Sequence, residues 1–319
     1  MGRVLADASS RRPSRWNDLT VRVLSALVLL PVTIFCVWVG GGWFLALVVV
    51  GAVGLSVEWA GLCGVSVLVW PGWMLPVGLA AAAICAGSGL DWQALAILAV
   101  GWLTLAIVMA RLDRATAHGT SPVGVARASR AMTREGEGAP TANVPLAHAL
   151  FSRHSLAFGF PYLGPAAFAL AWVRADPAAG FANTLFMLAI VWGSDIGAYM
   201  IGRIIGGAKL APAISPGKTR SGAVGGLASA ALAGLGVAAC LSAEYSPSHV
   251  VMVAIALGIV SQAGDLFESA LKRDFGVKDS GRIIPGHGGL LDRLDALLAV
   301  APFAALLAFT VGRGVVLWR

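Results

Sequence analysis

The sequence predicts an all-α fold: a polytopic membrane helix bundle of about nine transmembrane helices with a cytoplasmic N-terminus. Three observations predict it. Of the 319 residues, 58% are hydrophobic and 12% charged, and the mean hydropathy is +0.80, against about 25% charged residues in an average soluble domain. The apolar residues gather in runs near the length of about 20 that crosses a bilayer. The basic residues gather between alternate runs, as the positive-inside rule requires.

Residues 1–20 form a basic tail carrying Arg3, Arg11, Arg12 and Arg15. The apolar run after it has no small-residue cleavage site, and many further runs follow, so it reads as an uncleaved first helix. Four N-terminal membrane helices are expected within 21–110, at about 21–39, 42–63, 68–87 and 91–110. Gly40-Gly41-Gly42, Gly64 and the 87–91 segment break them. A polar cytoplasmic insert, 111–155, follows with six arginines and a Gly/Pro/Ala-rich composition expected to be flexible in part. A C-terminal catalytic membrane domain, 156–319, supplies helices five to nine at about 157–173, 180–202, 222–243, 248–271 and 290–312.

With the N-terminus inside, the cytoplasmic segments and adjoining helix ends hold 20 of the 23 Lys and Arg, and only Arg174, Arg313 and Arg319 fall outside. The loops 203–221 and 272–289 then emerge on one face, where their charges can meet. The net charge of +7 therefore reads as topology, and nucleic acid is not an expected partner. Cys36, Cys63, Cys85 and Cys240 lie in apolar runs without ligand spacing and read as small buried hydrophobes. The eleven tryptophans mostly fall near span ends and read as interfacial anchors.

The stretch 261–296 places Asp265, Glu268, Lys272, Arg273, Lys278, Asp279, Arg282, His287, Asp292, Arg293 and Asp295 between two apolar runs. Charge beside the hydrocarbon is costly and is normally kept for chemistry or transport. Ser261, Asp265, Glu268 and Lys272 follow helical spacing and align on one face, which must meet protein or water. Asp292 and Asp295 share a face of the next helix, and Asp195, Tyr199 and Arg203 recur every four residues on an earlier one. Carboxylates converging from two helices suit a hard, oxygen-loving cation such as Mg²⁺, with a second cation left open. The basic residues, Lys218 among them, suit phosphates. The competing reading is a set of ion pairs that clamp the bundle. It weighs evenly for one Asp/Lys pair and loses ground for so many groups.

Several nearby residues read as structural. Glu58 stands alone in its helix and reads as having a structural partner or a lipid-interface role rather than a catalytic one. Ser261 and Ser269 read as helix serines bonded to their own backbone. Ser215-Pro216-Gly217-Lys218-Thr219 imitates a P-loop, but Pro212 stands where the pattern needs glycine and no strand is expected before it. It reads as a short turn that can offer N–H groups and a lysine to phosphate. Gly222, Gly225 and Gly226 read as close-packing positions.

The run Ser269-Ala270-Leu271-Lys272-Arg273, then Lys278-Asp279, Pro285-Gly286-His287-Gly288-Gly289 and Leu291-Asp292-Arg293-Leu294-Asp295 resembles the signature of the phosphatidate cytidylyltransferases, the CDP-diacylglycerol synthases. Ser194-Asp195 with Tyr199, the Gly206–Leu210 stretch, Ile214–Thr219 and Glu58-Trp59 are similar to the same family. Arg220-Ser221 depart from it, standing where the family usually has Trp and an acid or amide.

The resemblance implies a transfer of the cytidylyl group from CTP to phosphatidic acid in the inner leaflet, giving CDP-diacylglycerol and pyrophosphate, by metal-assisted attack at the α-phosphorus. It implies Mg²⁺ held by Asp265 and Asp292 with Glu268, and catalytic roles for Asp265, Asp292, Lys272 and Asp295. Substrate contacts would come from Lys218, Thr219, Ser215, Arg273, Lys278, Asp279, His287, Arg293, Asp195 and Tyr199. CTP, phosphatidic acid and membrane lipids are the implied partners, and a homodimer enters by the resemblance alone. The implied place is the inner membrane, multi-pass, with the active site facing the cytoplasm. Two other readings are weighed: a CTP-dependent polyprenol or phytol kinase, and an ion-coupled transporter. The second is disfavoured because the charges cluster in the last third of the chain with no counterpart near 20–110.

Overall fold

The computed structural model describes residues 15–119, 146–281, 283 and 288–319. Nine helices lie among them: α1 (Arg15–Val39), α2 (Gly41–Leu62), α3 (Met74–Gly87), α4 (Asp91–Gly119), α5 (Leu146–Arg174), α6 (Gly180–Ile205), α7 (Arg220–Leu241), α8 (Pro247–Asp274) and α9 (Leu291–Val311). Between α6 and α7 stands a small antiparallel hairpin, β1 (Lys209–Ala211) and β2 (Ser215–Thr219), with Lys209 opposite Thr219. This corrects the expected turn: Ser215–Thr219 is extended, and a strand does precede it.

Seven helices, α2 and α4 to α9, are long and apolar enough to cross a membrane. The chain is therefore a multi-pass membrane protein. The 14-residue α3 rises about 21 Å at 1.5 Å per residue, short of a hydrocarbon core of about 30 Å, because residues 65–73 form turns before it. The described apolar part of α1 is Leu27–Val39. The flanks of the expected polar insert are helical. Residues 111–119 continue α4 and 146–155 belong to α5, since Ala, Leu and Arg propagate a helix past the point where apolar character ends. The middle of that insert and residues 1–14 of the tail lie outside the described residues.

Small residues set how closely the helices approach. A Cβ on Gly222 in α7 would stand 2.7 Å from the Ala198 carbonyl oxygen of α6, and one on Gly226 would stand 2.9 Å from that of Ser194. The structure thus bears out close packing at Gly222, Gly225 and Gly226, all buried. Where α8 crosses α9, a Cβ on Gly264 would meet Ala299 Cβ at 2.6 Å. Gln262 Nε2 donates to Ala223 O at 2.9 Å, tying α8 to α7. Two expectations hold for some residues and not for others. Trp59, Trp172 and Trp318 are buried rather than interfacial, because each ring fills a gap between helices. Cys36 and Cys63 are buried, but Cys240 is exposed: an apolar run says nothing about which flank faces protein and which faces lipid.

One end of the bundle is closed by ties between loops. Asp91 Oδ2 accepts from Trp172 Nε1 at 3.1 Å, and Arg174 Nε donates to Val37 O at 2.9 Å. The last residues fold back over this end: the Gly314 amide donates to Asp176 Oδ2 at 2.6 Å, the Leu317 amide to Asn183 Oδ1 at 2.9 Å, and Trp318 Nε1 to Ser242 Oγ at 3.3 Å. Burial pushes the Asp176 carboxyl up, but amide donors from Ala179, Gly314 and Ala178, and the charge of Arg313, outweigh it and hold the group below its ordinary value of 3.8.

Gly222→Val is expected to destabilise the protein by roughly 1–3 kcal/mol, because backbone cannot yield to the new side chain. Gly236→Ala in the same helix, with open space around it, is expected to leave stability equal or slightly raised. Thermal unfolding in detergent checks both. A carboxyl held low in the folded state stabilises fully above its unfolded value, and that contribution disappears as pH falls through the folded one. Melting temperature is therefore expected to drop as pH is lowered past 3.8, and Asp176→Asn should remove that part of the dependence.

Candidate active site

The opposite end carries the denser cluster of charge. α8 runs from apolar sequence to Lys272 and Arg273 in its last turn, and its functional face is the one the spacing predicts: Ser261 and Glu268 are fully buried and Asp265 partly so. Lys272 Nζ lies 2.7 Å from Glu268 Oε2 and 2.6 Å from Asp292 Oδ1, joining α8 to the first turn of α9. The pairing with Glu268 is electrostatic without hydrogen-bond alignment, and Glu268 Oε1 has no hydrogen-bond partner. Side-chain exposure is 13% for Lys272, 1% for Glu268 and 10% for Asp292. In such surroundings removing one partner costs far more than the intact pair contributes.

Asp292 holds more than the lysine. Its Oδ2 accepts from the amides of Ser280 at 3.0 Å and Gly289 at 2.9 Å. The carboxylate thereby organises the start of α9, where the helix dipole favours negative charge. One helical turn on, Asp295 acts electrostatically on Asp265, Glu268 and Asp195. Its backbone carbonyl lies at the close crossing with Gly264. Four carboxylates from α6, α8 and α9 thus share one neighbourhood.

The hairpin brings the missing cation. Lys218, on β2, is ion-paired with Asp265 Oδ2. Arg273 Nε approaches Ile214 O at 3.5 Å, so the loops at 203–221 and 272–289 meet, as the sequence predicts. Thr219 is buried and its Oγ1 accepts from the Gly222 amide at 3.1 Å, capping α7. Ser221 donates to Gly206 O, fastening the other side of the hairpin. Ser215 sits opposite Ala211 in the ladder.

Other predicted residues lie at the margin of this cluster or beyond it. Lys278, Asp279 and Arg293 are exposed beside the cluster. Asp195 is exposed on α6 with Lys218 and Asp265 acting on it. Tyr199 is exposed and accepts from Arg203 Nη1 at 2.9 Å, an interaction along α6 alone. His287 and Arg282 lie outside the described residues. Ser261 Oγ is buried without a hydrogen-bond partner, against the expectation that it bonds to its own backbone. Its helix face is turned into the charged cluster, not to solvent or lipid.

Two features were less visible in the sequence. Glu58, buried on α2, accepts from the Leu290 amide (2.7 Å), the Leu291 amide (2.8 Å) and Ser280 Oγ (3.1 Å), so the structural partner expected for it is the start of α9. Tyr162 on α5 lies near Glu268 and Asp295, its hydroxyl unpartnered and its ring against Phe267 at 5.6 Å. A lone acid in an apolar helix, and the family likeness of Glu58-Trp59, were the signals for the first, and nothing in the spacing marked the second.

The donor set suits a hard cation: every anionic group here is a carboxylate, and a buried oxygen of Glu268 is free to ligate. Among the described residues no three such groups converge closely enough to chelate one; Lys272 stands between Glu268 and Asp292, and Lys218 is paired with Asp265.

Residues 20–311 match the model of the cytidylyltransferase family. Proteins named phosphatidate cytidylyltransferase from Brucella suis and Brucella melitensis are each 36% identical over 290 residues, 89% of this chain and 91% of theirs. One of the same name from Staphylococcus saprophyticus is 43% identical over 132 residues, 41% of this chain and 51% of its own.

Lys272→Met leaves two buried carboxylates facing each other and is expected to cost roughly 3–5 kcal/mol of stability. Adding Glu268→Gln removes one bare charge and should recover part of the loss. Unfolding in detergent measures both, and equal stability of the single variant and wild type would contradict the buried-bridge account.

Proposed function

The chain belongs to the cytidylyltransferase family, and from that premise we propose that it transfers the cytidylyl group of CTP to phosphatidic acid, giving CDP-diacylglycerol and pyrophosphate. It is a nucleotidyltransferase. The observation that carries the choice of reaction is the meeting of lysines with carboxylates from three helices at one end of an apolar bundle. There a lipid phosphate at headgroup depth and a nucleotide from water can reach the same groups. That end faces the cytoplasm in this reading, with the N-terminus inside and the chain in the inner membrane; the clustering of Lys and Arg in alternate loops supports it.

An oxygen of the lipid phosphate attacks the α-phosphorus of CTP. The bond from that phosphorus to the oxygen bridging the β-phosphate breaks, and pyrophosphate leaves in line with its electron pair. Attacker, target and leaving group are all anionic, so the protein's task is to bring them together and neutralise them. Asp265 and Asp292, with Glu268 beside them and Asp295 one turn on, would hold Mg²⁺. When bound, the ion supplies positive charge to the phosphate oxygens and the leaving group. Lys218 and Lys272, released from those carboxylates, turn to the phosphates. Arg273 at the end of α8, Lys278 on the loop and Arg293 in the first turn of α9 gather the triphosphate, with Ser215, Thr219, Asp279, Asp195 and Tyr199 bordering its approach. The family signature adds His287 to these contacts. No protein nucleophile takes part.

Purified protein given labelled CTP and phosphatidic acid is expected to place label in lipid and release pyrophosphate, and to need Mg²⁺. Release of CDP with phosphate moved to an alcohol would mark the kinase reaction and refute the proposal. Asp265→Asn and Asp292→Asn are each expected to lower turnover by several orders of magnitude in protein that still inserts. Near-normal turnover in either would refute the metal assignment.

A further inference from the structure

Glu58 does more than fill a polar gap. It is the single charged residue of α2, buried at 4% exposure, and its carboxylate is spent on the start of another helix. The first amides of a helix lack partners within it, and Leu290, at the cap position of α9, has no side chain to satisfy them. Glu58 supplies the cap from α2, through Leu290 N to Oε1 and Leu291 N to Oε2. The surrounding chain is shaped to admit it. A Cβ on Gly281 would stand 2.7 Å from Glu58 Oε1, and one on Gly289 would stand 2.8 Å from Oε2.

Ser280 carries the contact onward. Its hydroxyl donates to Glu58 Oε2 at 3.1 Å, while its amide donates to Asp292 Oδ2 at 3.0 Å and Oδ1 at 3.2 Å. Asp292 Oδ1 in turn meets Lys272, and Lys272 meets Glu268. An unbroken line of polar contacts therefore runs Glu58, Ser280, Asp292, Lys272, Glu268, from α2 through α9 to α8. A neutral side chain could cap a helix. A buried carboxylate with three converging donors is a stiffer fixture, because charge-assisted hydrogen bonds are shorter and stronger than neutral ones.

We propose that Glu58 is a positioning residue for cytidylyl transfer. By holding Ser280 and the first turn of α9 it sets the orientation of the Asp292 carboxylate, and through it that of Lys272. This rests on the functional reading above for the reaction itself, but the line of contacts stands without it.

The test uses full-length protein in mixed detergent–lipid micelles. Glu58→Gln keeps the shape but turns an amide NH₂ toward one of three donors. Turnover per folded protein is expected to fall about 10- to 100-fold with the KM for CTP within about twofold, the pattern of a misplaced group and not of a lost binding contact. Ser280→Ala, a milder change, should fall less. The double variant should be no worse than Glu58→Gln alone, since the hydroxyl acts through the carboxylate. Asp176→Asn, at the far end, should lower melting temperature without changing turnover per folded protein. Hydrogen exchange should quicken over 276–292 in Glu58→Gln and stay unchanged there in Asp176→Asn.

Wild-type turnover per folded protein in Glu58→Gln overturns the proposal, as do effects of Glu58→Gln and Ser280→Ala that multiply. If Glu58→Gln does not fold, Ser280→Ala with wild-type turnover and wild-type exchange over 276–292 overturns it instead. Should the wild type place no label in lipid, the functional reading fails. The exchange comparison then decides the positioning claim, and unchanged exchange over 276–292 sinks it.

Discussion

The ammonium of Lys272 between the carboxylates of Glu268 and Asp292 is the contact on which this bundle turns. Charges removed from water are tolerated only when their geometry is good and their remaining valences are met. The surrounding structure meets those conditions one by one. Gly264 lets α8 approach α9 closely enough for the bridge. The amides of Ser280 and Gly289 satisfy Asp292. The hairpin swings Lys218 onto Asp265 one turn down the same helix face. Glu58 fixes the turn from which α9 begins.

The two ends of the bundle solve opposite problems. At one, Asp91, Asp176, Arg313 and the returning C-terminal residues bond to one another and to the backbone, and Trp318 packs on Phe186 with ring centres 4.6 Å apart. That end is sealed. At the other, carboxylates lie close enough to act on one another, with Lys272 between two of them and Lys218 paired with a third. The phosphate chemistry proposed for that end asks for charge that is balanced without substrate yet can be rearranged when substrate arrives.

Much of the site was legible because helical spacing and hydrophobicity speak together. Asp265, Glu268 and Lys272 fall on one face of an otherwise apolar helix, and lipid cannot solvate that face; the structure turns it inward. Glu58 was legible as a residue in need of a partner, but its partner lies 232 positions away, and no local pattern names it. The hairpin was missed because Pro216 and Gly217 carry the composition of a turn, whereas pairing with Lys209–Ala211 makes the segment a strand. Tyr162 was missed because an aromatic in an apolar helix looks like any other until its neighbours are known.

Composition and periodicity by themselves determined that the chain is helical, membrane-embedded and charged at one set of loops. Each of those properties follows from what hydrocarbon will and will not solvate, and that is written residue by residue. Only the tertiary structure decided which acids face lysines, which caps a helix, and which tryptophans leave the membrane surface for the interior. Those choices depend on contacts between helices distant in sequence, where an approach at Gly222 or Gly264 too close to admit a Cβ selects one packing over another.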